Sequence, residues 1–166
     1  YLNVTDYHLM TLPEGIGELA SLQELRAYNN ELTTLPESLG NLSNLLEIHV
    51  MHNKLESLPA TLGQLARLKE LRLSDNRLNA FPESLGNLAH LRYLDLRNNR
   101  LTTLPESLGN LNNLTLLDLR GNRLRAIPAS IGELANLEKL DLRWNKLAAY
   151  PDWLQRLEER GCVVYT

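Results

Sequence analysis

The sequence contains very little cysteine and few aromatic residues, and both shortages limit what the protein can be. Its single cysteine, Cys162, cannot form a disulfide within the chain, which favours a reducing compartment such as the cytoplasm. Aromatic side chains make up 5% of the residues and include one Phe, so leucine must fill the core. The net charge of −3 is too small to indicate nucleic acid or membrane as a partner.

Long apolar runs are absent as well. No stretch of about 18 apolar residues is present, and the N-terminus lacks the charged-then-apolar pattern of a secretion signal. The sequence therefore predicts no membrane contact and otherwise leaves the localisation open. Because a secretion signal can be removed during maturation, its absence from this sequence says little about a longer precursor.

Proline occurs only at a fixed interval. The seven prolines are 23 residues apart, at positions 13, 36, 59, 82, 105, 128 and 151. A fixed period of roughly 20 to 50 residues is the signature of a solenoid, whose repeats bury their apolar edges against their neighbours. The sequence therefore predicts a repeat protein with one continuous leucine core.

The apolar spacing changes partway through each unit. In the unit 91–111, Leu94 and Leu96 alternate with polar residues, which is typical of a half-buried strand. The later leucines are three or four residues apart, as in a helix or compact turn. An asparagine ends each strand after the first and is expected to form a stacked column bonded to the backbone. A glycine recurs in the return segment and predicts close packing.

Together these residues read L-P-x-x-[LI]-G-x-L-x-x-L-x-x-L-x-L-x-x-N-x-L. This motif resembles leucine-rich repeat proteins of the 23-residue type, in the bacterial and intracellular Ras-suppressor-like class, over residues 1 to about 157. The resemblance implies an α/β solenoid: a right-handed superhelix with a concave parallel β-sheet and short helical or irregular segments on the convex side. It also implies protein recognition on the concave face.

The two ends differ from the repeats between them. We expect about seven repeats in residues 1–151, the first of them partial, and a C-terminal cap of helix and closing strand in residues 152–166. Counting by 23 places Val163 and Tyr165 at inward strand positions. Because no cap precedes the first strand, we expect a fragment, or an N-terminal edge that another molecule or a second copy covers.

The family resemblance implies that residues between the strand leucines point outward on the concave face. In the last three repeats an Asp stands two residues before Arg97, Arg120 and Arg143. These pairs either neutralise one another as a ladder or present their arginines to an acidic protein segment. The expected concave charge is −2 over the first three repeats and +4 over the last four, which favours an acidic partner toward the C-terminal repeats.

Repeats two and three depart from this charged pattern, and outward Tyr, Met and Trp residues suit protein contact. The alternative is that they are scattered surface residues without a common role. The predicted partner-binding residues on the concave face are Tyr28, His49, Met51, Tyr93, Arg97, Leu116, Arg120, Arg143 and Trp144.

Catalytic, cofactor and metal sites are not predicted. His49, His52 and Asp75 could form only a fortuitous metal site, and Cys162 has no His close in sequence to activate it. Nucleic acid is not expected, because aspartates lie among the arginines and repel phosphate.

The sequence thus predicts a protein–protein interaction module that binds a partner protein or peptide, and not an enzyme. Two alternatives stay open: a recognition fragment of a larger signalling or effector protein, and a designed or structural scaffold with no natural ligand. The identical segments 35–42 and 104–111, both LPESLGNL, are compatible with a scaffold.

Overall fold

The computed structural model describes residues 1–166 and contains one sheet of eight parallel strands in chain order. Among the first seven strands each pairs with the next at a step of 23 residues, as in Leu25–Ile48 and Ile48–Leu71. The fold is the predicted solenoid with a parallel sheet. Strands β1 to β8 are Leu2–Asn3, Glu24–Arg26, Glu47–His49, Glu70–Arg72, Tyr93–Asp95, Leu116–Asp118, Lys139–Asp141 and Val163–Tyr165.

The return segments opposite the sheet are five-residue 3₁₀ helices, each preceded by one of the periodic prolines. Proline fixes φ near −65° and has no N–H to leave unpaired at a helix start, so it suits this place. The carbonyl of Pro105, for example, accepts a hydrogen bond from the Leu108 N–H at 3.2 Å. The six helices are Glu14–Glu18, Glu37–Asn41, Ala60–Gln64, Glu83–Asn87, Glu106–Asn110 and Ala129–Glu133.

Between the sheet and the 3₁₀ helices lies a single cluster of 44 buried residues, most of them leucine. It runs from the first repeat to the last, so each repeat is covered by its neighbours and not by a separate layer. The one phenylalanine, Phe81, is buried in the same cluster. The predicted continuous leucine core is confirmed.

The asparagine column joins each repeat to the one before it. The Asn99 amide group donates to the Leu73 carbonyl at 3.0 Å and to the Leu96 carbonyl at 3.1 Å. Its Oδ1 accepts a hydrogen bond from the Leu78 N–H at 3.0 Å. One side chain thus satisfies buried backbone groups of two repeats, which confirms the predicted column.

Glycine is required where consecutive 3₁₀ helices touch. A Cβ at Gly86 would lie 2.4 Å from the Ser107 carbonyl oxygen, so a side chain there would force two repeats apart. A Cβ at Gly15, on the first 3₁₀ helix, would meet nothing within 4 Å. The close packing predicted for the glycine that recurs every 23 residues is confirmed, and Gly15, which is not one of these glycines, has open space around it.

These two glycines give a matched pair of variants. Gly86→Ala is expected to lower the free energy of unfolding by about 2 to 3 kcal/mol, because neighbouring backbone must move to admit the methyl group. Gly15→Ala, which adds the same methyl group in open space, is expected to change it by less than about 0.5 kcal/mol. Urea unfolding followed by circular dichroism measures both, and equal losses would show that contact between repeats is not the cause.

The C-terminal strand does not keep the 23-residue step. Helix α1, Trp153–Glu159, replaces the 3₁₀ helix, and β8 pairs with β7 at a step of 24 residues through Leu140–Val164. The prediction that Val163 and Tyr165 face inward is therefore wrong: they are 51% and 39% exposed, whereas Val164 packs against the core. The longer segment from proline to strand accounts for the extra residue. The division into repeats and cap at residue 151 stays a prediction.

Candidate interaction face

The face of the sheet that points away from the leucine core, called the concave face below, carries the predicted contact residues. Eight of them are half-buried, and Trp144 is exposed. Tyr93 and Leu116 are partners in the β5–β6 register and therefore lie side by side. Whether these residues contact a partner stays a prediction.

A column of aspartates lies beneath the arginines of the last three repeats. Asp95, Asp118 and Asp141 are in register on adjacent strands and are 2%, 5% and 0% exposed. These carboxylates lie on the concave face, but the longer arginine side chains pair with them and cover them from solvent. Ser74, which occupies the position of Arg97 one repeat earlier, is also buried.

The two C-terminal arginines bind these carboxylates closely. Arg120 donates from Nε and Nη2 to Asp118 at 2.9 and 2.6 Å, and its Nε lies 3.3 Å from Asp141. Arg143 Nη2 donates to Asp141 at 2.7 Å. Bidentate charge-assisted bonds of this kind fix both partners. Of the two interpretations of this column, the geometry supports the self-neutralising ladder.

The third pair, Arg97 with Asp95, is weaker, and the pKa of its carboxylate is raised. Arg97 reaches Asp95 only through Nε, at 3.4 Å. Burial raises the pKa of Asp95, although the Arg97 N–H donates to this carboxylate and the Arg97 charge lies nearby. Burial without a close guanidinium partner therefore disfavours the ionised form of this side chain.

The raised pKa of Asp95 predicts a dependence of stability on pH. A carboxyl whose folded pKa lies above its unfolded value stabilises the fold in acid and loses that contribution as the pH rises through the folded pKa. Asp95→Asn, which removes the charge, is expected to raise the free energy of unfolding at pH 7 by about 1 kcal/mol. This gain should shrink as the pH falls toward the unfolded-state pKa, near 3.9.

Asp141→Asn is the matched control, since it removes the same charge where Arg120 and Arg143 both depend on it. It is expected to destabilise the fold at pH 7 by about 1 to 3 kcal/mol. Urea unfolding of both variants across the pH range measures these effects. A loss of stability for Asp95→Asn at pH 7 would contradict the interpretation.

Glutamates form a second column, which the sequence reasoning missed. Glu24, Glu47 and Glu70 are in register on β2 to β4. His49 lies among them, with Nε2 3.1 Å from Glu70 and 3.5 Å from Glu47, and Nδ1 3.9 Å from Glu24. Its side chain is 13% exposed. Although His49 is one of the predicted contact residues, its ring therefore contacts the neighbouring glutamates and has little surface left for a partner. The recurring Glu at the first residue of each of these strands is the signal that would have revealed the column.

The histidines and Asp75 considered as metal ligands do not come together. His52 Nδ1 lies 3.7 Å from Asp75, while His49 lies among the glutamates. Glu24, Glu47 and His49 do place one ligand atom each within 4.8 Å of one another. However, Arg26 pairs with Glu24, and its positive charge opposes a cation there.

Aromatic rings stack with the cations of the concave face. Arg72 lies 5.0 Å from the centroid of the Tyr93 ring. Arg143 lies between two rings, 5.6 Å from Trp144 and 4.7 Å from Tyr165. Tyr165 was missed because the 23-residue count placed it inward.

Trp144 has a backbone conformation that disfavours its side chain. Its φ is +59°, in the left-handed region, and its side chain is 72% exposed. Trp is costly there, whereas Asn, Asp and Gly are tolerated. The equivalent residues of the other repeats also have positive φ: Asp6, Asn29, His52, Asp75, Asn98 and Gly121. Trp144 thus combines local strain with exposure, a combination found at functional sites.

A shallow concavity of about 280 Å³ adjoins this tryptophan and crosses five repeats. It is lined by His52, Asp75, Arg97, Asn98, Arg120 and Trp144. The lining is polar apart from the indole, so it suits a polar segment with one apolar anchor.

None of the helices combines the length and the apolar character that a membrane crossing requires.

Comparison with known proteins gives one family match and several structural neighbours. The family described as a leucine-rich repeat region matches residues 1–81 and 76–159, which together cover most of the chain. No curated protein matches significantly. The assignment to the 23-residue class stays a prediction.

Three solved structures illustrate the likeness. The leucine-rich repeat domain of the type III effector XopL is 28% identical, with a TM-score of 0.80 over 99% of this chain and 67% of that one. A TDR receptor is 32% identical, with a TM-score of 0.84 over 93% and 27%. A leucine-rich repeat protein of Leptospira interrogans is 30% identical, with a TM-score of 0.54 over 99% and 53%. The chain therefore spans about half of the Leptospira protein and about a quarter of the receptor.

Proposed function

The chain belongs to the leucine-rich repeat family, and from that premise we propose that it binds a partner protein or peptide on its concave face. The family and fold are typical of protein–protein interaction modules. What supports a site in this chain is the exposed indole of Trp144, held at a position that the other repeats fill with residues better suited to positive φ.

The other predicted contact residues have distinct roles in this proposal. Tyr28, Met51, Tyr93 and Leu116 supply half-buried apolar surface along the sheet. Their strands are fixed by the ladder hydrogen bonds and the asparagine column, so little conformational freedom is lost when a partner binds. Arg97, Arg120, Arg143 and His49 are held by carboxylates and therefore shape the surface more than they supply free charge.

We further propose that the protein is not an enzyme and works in a reducing compartment. The charged side chains of strands β2 to β7 are paired in ion pairs or stacked on rings, which suits a contact surface better than proton transfer. The thiol of Cys162 is free and buried, and burial raises its pKa, so it is a poor nucleophile. A cytoplasmic location stays a prediction.

A second candidate is a recognition segment of a larger signalling or effector protein. It is favoured by the share of its neighbours that the chain covers, 27% of the receptor and 53% of the Leptospira protein. Under this candidate the concave face still binds a partner, and the apolar hollow formed by Leu2, Val4, Leu9 and Leu19 is covered by other protein. Self-association through this N-terminal edge stays a prediction.

The proposal is tested by selecting ligands from a displayed library of protein fragments and comparing two matched variants. Met51→Ser with Leu116→Ser alters the concave face, and Glu83→Ser with Glu106→Ser alters the opposite face. Selected ligands are expected to bind the concave variant at least about 10-fold more weakly and the other within about 2-fold. Ligands that respond only to the second variant, or no specific ligand at all, would contradict the proposal, and the latter would favour a scaffold without a ligand.

A further inference from the structure

A row of unpaired basic residues follows the edge of the sheet where the strands end. One residue per repeat occupies it, two positions after the residue with positive φ. All four side chains are exposed, and none forms an ion pair. The row, called the basic edge below, consists of Arg77, Arg100, Arg123 and Lys146.

The cations of this edge are unpaired, in contrast to the neighbouring arginines of the strands. The concave arginines Arg120 and Arg143 are bound to buried aspartates, as described above. Lys54, which precedes the row in the same column, donates to Glu31 at 2.7 Å and is thereby neutralised. From the fourth repeat onward the column has no such acidic partner, so its charges remain available.

The spacing of the row suits an extended ligand that crosses the strands. Neighbouring strands of a sheet are roughly 4.8 Å apart, so four cations stand in a line about 15 Å long. Trp144 lies at the last of these repeats, two residues before Lys146, and offers an exposed apolar surface beside the charges. Charge and an aromatic anchor therefore occur together at one edge.

We propose that the basic edge and Trp144 bind an acidic extended segment of a partner protein, with an apolar side chain of that segment against the indole. This inference rests on the proposed function, because it names the chemistry of the partner. A protein segment is favoured over nucleic acid for two reasons. The row is short, and the glutamate column of β2 to β4, with the overall charge of −3, repels a longer polyanion.

The test uses a defined probe, a fluorescent peptide with glutamate at alternate positions and one leucine, and the same peptide with glutamine in place of glutamate. Fluorescence anisotropy measures binding at low and at near-physiological salt. The edge variant replaces all four basic residues with Gln. The control variant removes the same charge from exposed residues elsewhere: Arg67→Gln, Lys69→Gln, Arg92→Gln and Arg156→Gln.

The acidic peptide is expected to bind the edge variant at least about 10-fold more weakly than the wild type, and the control variant within about 2-fold. Higher salt should weaken wild-type binding, and the glutamine peptide should bind poorly. Urea unfolding shows whether both variants remain folded. Their midpoints should differ from that of the wild type by no more than ordinary surface substitutions cause.

Several outcomes would overturn the inference. They are no binding of the acidic peptide, equal loss in the control variant, and tighter binding of single-stranded DNA or heparin through the same four residues. Fragments from the unbiased library separate this inference from the proposed function. Fragments whose binding requires Met51 and Leu116 but not the basic edge would support binding on the concave face and contradict the proposed preference for an acidic segment.

Discussion

Replacing Trp144 with Asn is expected to stabilise the fold and to weaken partner binding by at least about 30-fold. Binding weakens because Trp is enriched among the interface residues whose truncation costs about 2 kcal/mol or more. The fold gains because Asn tolerates a φ of +59° better than Trp does. We expect a gain of about 0.5 to 1 kcal/mol after loss of the stacking with Arg143.

Opposite effects on stability and binding separate a functional residue from a structural one. The control is Tyr150→Asn, which removes another exposed aromatic side chain, 57% accessible, outside the concave strands. Thermal unfolding and titration with a ligand from the fragment library measure both properties. A Trp144→Asn protein that loses stability, or that binds like the Tyr150→Asn control, would contradict the role given to Trp144.

Asn99→Ala is expected to cause the largest loss of stability, about 3 to 5 kcal/mol. The change removes four hydrogen bonds at once. They are the acceptor for the Leu78 N–H and the donors to the carbonyls of Leu73, Leu96 and Arg97. Three of these groups are buried with the asparagine, and no water can replace the lost partner without opening the stack.

The matched control is Asn110→Ala, the same substitution at an exposed asparagine of a 3₁₀ helix, which is expected to change stability by less than about 0.5 kcal/mol. Urea unfolding followed by circular dichroism compares the two variants. Because solenoid stability is a sum over repeats and their interfaces, Asn99→Ala should also broaden the unfolding transition. Similar losses for both asparagines would show that the column does not join the repeats.

Residues that serve the scaffold could be predicted because the chain repeats them. The periodic proline and the apolar strand positions recur seven times and the asparagine six times, because each repeat meets the same packing requirement, so pattern alone reveals them. The positive φ of Trp144 could have been predicted for the same reason. Its column contains Asn, Asp and Gly, which are the residues that tolerate the left-handed region.

The electrostatics of the site could not be predicted in this way. Whether Asp118 faces solvent or lies beneath Arg120 depends on side-chain length and on neighbours one strand away, which a linear pattern does not contain. The contact of His49 with three glutamates arises from stacking across three repeats. Tyr165 was misplaced because α1 lengthens the last return segment by one residue.

Site-specific photocrosslinking tests most directly the claim that the concave face is the binding surface. A photoreactive phenylalanine analogue replaces Met51 or Leu116 on the concave face, or Glu83 or Glu106 on the opposite face. Each variant is irradiated with a ligand from the fragment library. The account predicts crosslinks from the first two positions and none from the last two. Crosslinks from Glu83 or Glu106 alone would contradict it.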